Sequence, residues 1–242
     1  FGVRLKNGKK VNFKKISQSY LPGKIEANFS SDVLSLKLSL FYGDIGISYE
    51  IATITNTSNT NQEVYFSWFG KSWGKIAEND GKYLSVLYRN DRNLNVIQDF
   101  TNTKLYIDTT KREYHFDAIN PIMLKPNGET KSFIAIGLTF SDKEKIDIYN
   151  QTSKTIDKVI SQYNASETRW KAHLNAILLA KETEYDKVAV KSLMTLMSNW
   201  RKAELDLKHD GVIPSHAVTY FDGFWAWDSW KHAVALSLFK PD

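Results

Sequence analysis

The most constraining feature of the sequence is an alternation of apolar and polar residues that recurs from Phe1 to about Phe140. Between Asp32 and Tyr42, leucine occupies every even position from 34 to 40, and serine or lysine occupies the positions between them. A period of two places alternate side chains on opposite faces of a strand, so this pattern predicts a half-buried β-strand. The same reasoning predicts further strands at residues 1–5, 46–55, 63–69, 83–88, 104–108, 113–116 and 131–140.

Many strands without an intervening helical pattern indicate an antiparallel β-sandwich, which we assign to residues 1–140. The polar stretch Asn56–Asn61 predicts a turn, and we expect the strands on either side of it to pair as a hairpin. Trp68 and Trp73 lie near the end of this predicted hairpin. Packing against the sandwich is the favoured interpretation of these two indole rings, and a second sugar-binding platform is the alternative.

The periodicity changes at Ser141-Asp-Lys-Glu144, which has the form of a capping box at the start of a helix. We predict a helical linker over residues 141–182, within which a second helix begins at Asn164. A further amphipathic helix is predicted over residues 183–205, with Arg201 in its last turns, where a cation suits the helix dipole.

These patterns together predict an α+β chain in two parts. An N-terminal antiparallel β-sandwich occupies residues 1–140, and an α-helical linker follows at residues 141–182. A second, helical domain is expected to begin at residue 183.

An aromatic segment near the end of the sequence, Tyr220-Phe-Asp-Gly-Phe-Trp-Ala-Trp-Asp-Ser-Trp230, contains six aromatic residues in eleven positions. Core packing seldom concentrates tryptophan in this way, because a buried indole N–H needs a partner. Pyranose C–H faces stack on aromatic rings, and a carboxylate such as Asp228 accepts hydrogen bonds from sugar hydroxyls. A sugar-binding pocket and a buried aromatic corner both remain open at this point. Asp228 also begins a predicted helix over residues 228–239, where it could act as the N-cap.

The sequence Phe224-Trp-Ala-Trp-Asp-Ser-Trp-Lys-His-Ala-Val-Ala-Leu236, followed by Phe239-Lys-Pro-Asp242, resembles the first tryptophan-aspartate motif of glycoside hydrolase family 63. The similarity is to the bacterial YgjK-like α-glucosidases in particular. It implies that the sandwich is followed by an (α/α)6 catalytic barrel, whose first helices would occupy residues 183–242. It also implies an inverting hydrolase of α-glucosides or α-linked oligosaccharides.

The same resemblance assigns substrate binding to Asp228, Phe224, Trp225, Trp227, Trp230 and Lys231. Asp228 is expected to bind the sugar in the −1 subsite and to help hold the attacking water. The tryptophans correspond to the aromatic wall of that subsite, and Lys231 corresponds to its polar rim. The general acid and the general base are expected beyond Asp242, so no residue of this chain is assigned as catalytic.

The composition limits the partners of the chain. The net charge of +5 comes from lysines spread along the sequence, which favours a solvated basic surface over a nucleic-acid interface. No cysteine is present, which excludes disulfides and thiolate metal sites. No apolar run reaches the length of about 18 residues that a membrane helix needs. We therefore expect an oligosaccharide substrate and the rest of the catalytic barrel as partners, and neither nucleic acid nor a membrane.

No cofactor and no metal site are expected in this chain. The resemblance allows calcium in the complete barrel, but the sequence has no dense loop of Asp, Glu and Asn to assign as ligands. It also implies a bacterial protein that is periplasmic or secreted. We interpret both ends of the chain as cut from a longer protein, and we leave its oligomeric state open.

Two other classes of function remain as alternatives. The first is a carbohydrate-binding sandwich module without hydrolysis. The second is an interaction protein whose aromatic segment docks a partner, since tryptophan and tyrosine are also interface anchors. A trehalase-like member of the same barrel class is the alternative among hydrolases.

Overall fold

The chain forms two compact units, Phe1–Ser166 and Glu167–Asp242. The computed structural model describes residues 1–43, 46–72, 75–79, 83–89, 92–98, 103–139, 141, 143–144, 147, 150, 152, 155–179, 181–201, 203, 208–215, 219–221 and 223–239. The first unit contains the sandwich strands, and the second contains helices and a short strand pair.

The first unit is built from antiparallel strands. They are β1 (Gly2–Leu5), β2 (Lys14–Leu21), β3 (Lys24–Ser30), β4 (Leu34–Tyr42), β5 (Ile47–Asn56), β6 (Gln62–Lys71), β7 (Lys75–Asn79), β8 (Tyr83–Arg89), β9 (Arg92–Gln98), β10 (Thr103–Asp108), β11 (Glu113–Ala118), β12 (Ile122–Leu124) and β13 (Glu129–Thr139). Strands β2, β3, β7, β9 and β12 were not predicted. Strand β2 shows why, because nearly all of its residues are exposed and it lacks an apolar face.

The strands form two sheets that pack face to face. One has the order β1-β6-β11-β10, with β12 also paired to β6, and the other has the order β2-β3-β4-β5-β13-β9-β8-β7. Residues from both sheets meet in one apolar core, which includes Leu34, Leu36, Ile54, Val64, Phe66, Trp68, Phe116 and Ile134. The predicted α+β fold class with an N-terminal antiparallel β-sandwich is confirmed.

The alternation in strand β4 holds only for part of its length. Leu34 and Leu36 are buried between the sheets as predicted, but Leu40 is only half-buried and Phe41 is buried instead. Phe41 belongs to a second apolar cluster with Tyr49, Phe133 and Val159. The eight-stranded sheet is therefore covered on both faces at this end, a feature that a period-two pattern does not reveal.

The predicted hairpin across Asn56–Asn61 is wrong, because strands β5 and β6 lie in different sheets. Strand β5 pairs with β4 and β13, while β6 pairs with β1, β11 and β12. The fully buried Asn56 organises this crossover: its Nδ2 donates to the carbonyls of Thr60 at 2.8 Å and Leu124 at 3.0 Å. Its Oδ1 accepts from the backbone N–H of Ser58 at 3.0 Å. These bonds stabilise a connection between sheets rather than a turn within one.

Trp68 is a core residue, in agreement with the favoured interpretation that it packs against the sandwich. Its side chain is 3% exposed, and its Nε1 donates a hydrogen bond to the Oγ of Ser132 at 2.8 Å. It is therefore not part of a sugar-binding platform, and Trp73 lies outside the described residues. The neighbouring Phe69 points to the opposite face of the strand and is 52% exposed.

Helix α1 (Ile156–Ile177) is continuous, so the predicted helix start at Asn164 is wrong. Its first half packs on the sandwich through Tyr163, whose ring meets Phe41 edge to face at 5.2 Å. The Tyr163 hydroxyl also donates to Glu26 at 3.1 Å. These tertiary contacts keep the helix intact across a stretch of cap-forming residues. The predicted capping bond at the start of the linker is present, since the backbone N–H of Glu144 donates to the Ser141 hydroxyl at 3.2 Å.

The second unit contains helix α2 (Asp186–Ser198), strands β14 (Trp200–Arg201) and β15 (Gly211–Val212), a short 3₁₀ turn (Thr219–Phe221) and helix α3 (Ala226–Leu236). Helix α2 is shorter than predicted: Arg201 lies in a strand that pairs with Gly211, not in a helical turn. The backbone N–H of Ile213 donates to the carbonyl of Asn199 at 3.0 Å, and Ile213 is fully buried. Pairing with this later segment ends the helix early.

The (α/α)6 barrel remains a prediction, as do the domain boundaries at residues 140 and 182. Among the described residues, no helix combines the length and the apolar character needed to cross a membrane.

Candidate functional site

The aromatic segment leads into helix α3 with Trp225 at the N-cap position. Trp225 has an extended backbone, and its carbonyl accepts bonds from the N–H groups of Asp228 at 3.0 Å and Ser229 at 2.8 Å. Asp228 is therefore the third residue of the helix, and its interpretation as the N-cap is wrong. It still lies in the first turn, where the positive end of the helix dipole favours a carboxylate.

The aromatic side chains around the helix start form a connected run of rings. The Phe221 and Trp225 centroids are 5.6 Å apart with an interplanar angle of 73°, and those of Trp225 and Trp227 are 5.2 Å apart at 61°. Tyr220 extends the run, with its ring 4.6 Å from that of Phe221. Trp225 is half-buried, whereas the side chains of Tyr220 and Trp227 are mostly exposed. The segment is thus an edge-to-face aromatic surface rather than a closed core.

The Asp228 carboxylate lies between these rings in the sequence and is half-buried. No described residue donates a hydrogen bond to the Asp228 carboxylate or forms a salt bridge with it. A half-buried carboxylate that no described residue satisfies can accept hydrogen bonds from the hydroxyl groups of a ligand. The exposed indole of the preceding residue, Trp227, can stack on a ligand's C–H face.

Helix α3 has two different faces. Ser229, His232, Ala233 and Leu236 share one face because they follow helical spacing. Trp227 and Trp230 lie outside this face and are 63% and 59% exposed. The Lys231 Nζ lies 5.7 Å from the centre of the Trp230 ring, a cation–π distance.

The first face of helix α3 lines a groove of about 500 Å³ in the second unit. The remaining lining residues are Trp200, His209, Asp210, Gly211, Val212, Phe224 and Ser237. Phe224 lies directly on Gly211, since a Cβ at that glycine would come within 2.6 Å of the Phe224 ring. Among the described residues, the buried Ser229 Oγ and His232 Nδ1 have no hydrogen-bond partner.

The predicted substrate-binding residues therefore lie in three places. Trp225, Trp227 and Asp228 are together at the helix start, Phe224 lies in the groove, and Trp230 pairs with Lys231 on the outward face. Their roles in binding a sugar remain predictions. His216, whose role the sequence left open, is outside the described residues.

Sequence reasoning missed the contributions of Trp200, His209, Ser229 and His232 to the groove. The spacing of Ser229, His232, Ala233 and Leu236 does indicate a common helix face. The residues that face it were not predictable, because they depend on the pairing of strand β14 with strand β15. Within the described residues, no three His, Asp or Glu side chains meet as metal ligands.

Comparison with known proteins gives no family for this chain, since no protein-family model matches it. A putative kojibiose phosphorylase from the human microbiome is similar over 86% of this chain and 29% of its own length, with 10% identity and a TM-score of 0.44. The heparan sulfate lyase HepC from Pedobacter heparinus is similar over 57% of this chain and 24% of its own length, with 10% identity and a TM-score of 0.38. The Slr1438 protein from Synechocystis sp. PCC 6803 has 9% identity over 53% of this chain and 66% of its own, with a TM-score of 0.36.

Two of these structures are named as carbohydrate-active enzymes, and this chain spans less than a third of the length of either. At TM-scores below 0.5, the similarities establish neither a family nor an activity for this chain.

Proposed function

We propose that this chain is part of an inverting glycoside hydrolase that acts on α-glucosides or α-linked oligosaccharides. The observation that carries the proposal is the Asp228 carboxylate, which is half-buried in the first turn of helix α3 and has no donor among the described residues. The connected rings of Trp225 and Trp227 provide stacking surfaces next to it in the sequence. The similarity of this segment to the tryptophan-aspartate motif of family 63 supports the same function.

In this proposal Asp228 orients the substrate and does not transfer the glycosidic proton. Inversion needs one carboxylic acid to protonate the leaving oxygen and one carboxylate to activate water, with the two groups roughly 6.5–9.5 Å apart. Both groups would come from the barrel beyond Asp242. Asp228 would accept hydrogen bonds from hydroxyls of the −1 sugar and would help hold the attacking water.

The groove supports the proposal in a second way. Trp200 and Phe224 supply ring faces, and Ser229 Oγ and His232 Nδ1 supply polar atoms that no described residue satisfies. Buried polar atoms without a partner are costly, and a ligand hydroxyl can remove that cost. The combination of aromatic side chains with such polar atoms suits the binding of a sugar unit.

The direct test is hydrolysis by the complete natural protein. Maltose, isomaltose and trehalose are incubated with it, and the anomer released first is followed by proton NMR. In each substrate the configuration of interest is that of the glucosyl unit whose C1–O bond is cleaved, because the leaving glucose keeps its own anomeric configuration. Release of that glucosyl unit as β-glucose supports the proposal, and its release as α-glucose overturns it. Turnover of trehalose alone would move the assignment to a trehalase-like enzyme. Binding of these sugars with no turnover would favour a binding module.

A further inference from the structure

Three ring-bearing side chains form a straight row across the outer face of the sheet that contains β6, β11 and β10. The row consists of Phe69, His115 and Tyr106, and we call it the aromatic row. In the strand register Phe69 is opposite His115, and His115 is opposite Tyr106. Phe69 and Tyr106 are 52% and 48% exposed, while their sequence neighbours Trp68 and Leu105 face the core. The row therefore faces away from the sandwich interior.

The rings of Phe69 and His115 are close together, and Tyr106 continues the row on the next strand. The ring centres of Phe69 and His115 are 5.8 Å apart, and their planes are inclined by 33°. Two strand spacings separate Phe69 from Tyr106, which is a span of about 10 Å. The Lys104 Nζ lies over the Tyr106 ring, 5.1 Å from its centre, which is a cation–π distance.

Polar rows flank the aromatic row on both sides. The register places Ser67, Asp117 and Lys104 in line on one side, and Lys71, Glu113 and Asp108 in line on the other. The Ser67 hydroxyl donates to the Asp117 carboxylate, and Lys111 lies 3.6 Å from Asp108. The surface thus presents exposed rings in its middle and hydrogen-bonding groups along both edges.

This arrangement discriminates between classes of ligand. Lysine, glutamate, aspartate and serine are depleted at the centre of protein interfaces, yet they make up both flanking rows here. The flanking rows carry two lysines and three carboxylates, so the surface is almost neutral and does not attract a polyanion. A neutral glycan matches both parts, because it has apolar C–H faces and hydroxyl groups along its edges.

We propose that the aromatic row and its flanking polar rows form a non-catalytic binding surface for neutral polysaccharides. The surface belongs to the first unit, and its residues are separate from the tryptophan-aspartate segment of the second. The test of this binding surface is therefore independent of the test of the proposed hydrolase.

The test is affinity gel electrophoresis of this 242-residue chain. The gels contain soluble starch, hydroxyethyl cellulose, laminarin or arabinoxylan, with a polysaccharide-free gel as reference. We expect at least one polymer to retard the chain. Phe69→Ala and Tyr106→Ala should each lower the affinity calculated from that retardation about tenfold. This is the size of effect found for bases stacked on aromatic side chains.

Two controls keep the result specific. Tyr20→Ala removes a ring of similar exposure, 58%, from strand β2 of the other sheet and should leave retardation unchanged. Phe69→Trp keeps a stacking ring and should bind at least as well as the original chain, which a purely structural role for Phe69 does not predict. Thermal unfolding of each variant shows whether it is folded.

The contrary outcomes are equally specific. If no polymer retards the chain, the proposal is overturned. It is also overturned if retardation persists in both alanine variants but disappears in Trp227→Ala, a result that would leave the hydrolase proposal intact. Concentration-dependent dimerisation that Phe69→Ala abolishes, without polysaccharide binding, would assign the surface to self-association instead.

Discussion

The indole Nε1 of Trp68 donates a hydrogen bond to the Oγ of Ser132 at 2.8 Å, and this bond joins the two sheets of the sandwich. Trp68 lies on β6 and Ser132 on β13, and the two residues are 3% and 7% exposed. A large ring with a polar N–H can pack in an apolar interior only when that group is satisfied. Ser132 thus lets Trp68 serve as a core residue.

Ser132→Ala should lower the free energy of unfolding by about 1–3 kcal/mol, because it leaves the indole N–H buried without its partner. Urea denaturation followed by tryptophan fluorescence measures the change. Ser19→Ala on the exposed strand β2 is the matched control and should have almost no effect. Equal stabilities for the two variants would show that the bond between the sheets contributes nothing.

Asn56→Asp should destabilise the sandwich more strongly, by about 3 kcal/mol or more, because a buried carboxylate would face two backbone carbonyls. The amide that now donates to Thr60 and Leu124 would be lost. Asn61→Asp makes the same chemical change at an exposed position of the same connection and serves as the control. Thermal unfolding at pH 7 compares them, and a similar shift in both variants would contradict the role given to Asn56.

Glu26 should make the attachment of helix α1 depend on pH. Burial raises the pKa of Glu26, but the hydrogen bond and charge of Lys37, the hydrogen bond from Tyr163 and the charge of Lys24 outweigh it and leave that pKa below its ordinary value of 4.5. A carboxyl group with a lowered pKa in the folded state stabilises the protein above its ordinary pKa. The contribution is lost as the pH falls through the lowered value.

Glu26→Gln should therefore reduce stability at pH 7 and make a much smaller difference near pH 3. Denaturant titrations at both pH values test this expectation. Glu129→Gln, which removes a more exposed carboxylate paired with Lys131, should show little difference at either pH. A Glu26→Gln penalty that grows as the pH falls would have the wrong sign for this account.

Ser229→Ala should weaken ligand binding without lowering the stability of the fold. Its hydroxyl oxygen is buried without a partner among the described residues, so its removal should leave stability unchanged or slightly higher. If the groove holds a sugar hydroxyl, the same change should weaken maltose binding by the complete protein about fivefold or more. Calorimetric titration and thermal unfolding give the two readouts. A loss of stability with unchanged affinity would contradict the role of the groove.

Local sequence patterns predicted several features of the fold and failed where partners distant in the sequence decide the outcome. Alternation located strand β4 and the burial of Leu34 and Leu36. It did not show that helix α1 covers Phe41, since that contact joins residues far apart in the chain. It also could not distinguish a hairpin partner from a strand in the other sheet, which is why β5 and β6 were paired wrongly.

In the candidate site, too, features set by nearby residues were predicted and those set by distant residues were not. The aromatic segment and the helix that carries Asp228 were predicted from residues close together in the sequence. The groove was not, because it needs Trp200 to pair with Val212 and Phe224 to lie on Gly211. The aromatic row was not predicted, because the sequence singles out the larger Trp68 and not its neighbour Phe69. The alternation of the strand turns Trp68 inward and Phe69 outward.

The most direct test of the central claim is the steady-state kinetics of Asp228→Asn in the complete natural protein. Asp186→Asn is the matched control, because Asp186 is also a half-buried carboxylate in the first turn of a helix, where it accepts a bond from Thr183. If Asp228 orients the −1 sugar and holds the attacking water, kcat should fall about a hundredfold while KM changes about threefold or less, and the control should retain its kcat. Normal turnover by Asp228→Asn would contradict the assignment of this segment to the active site.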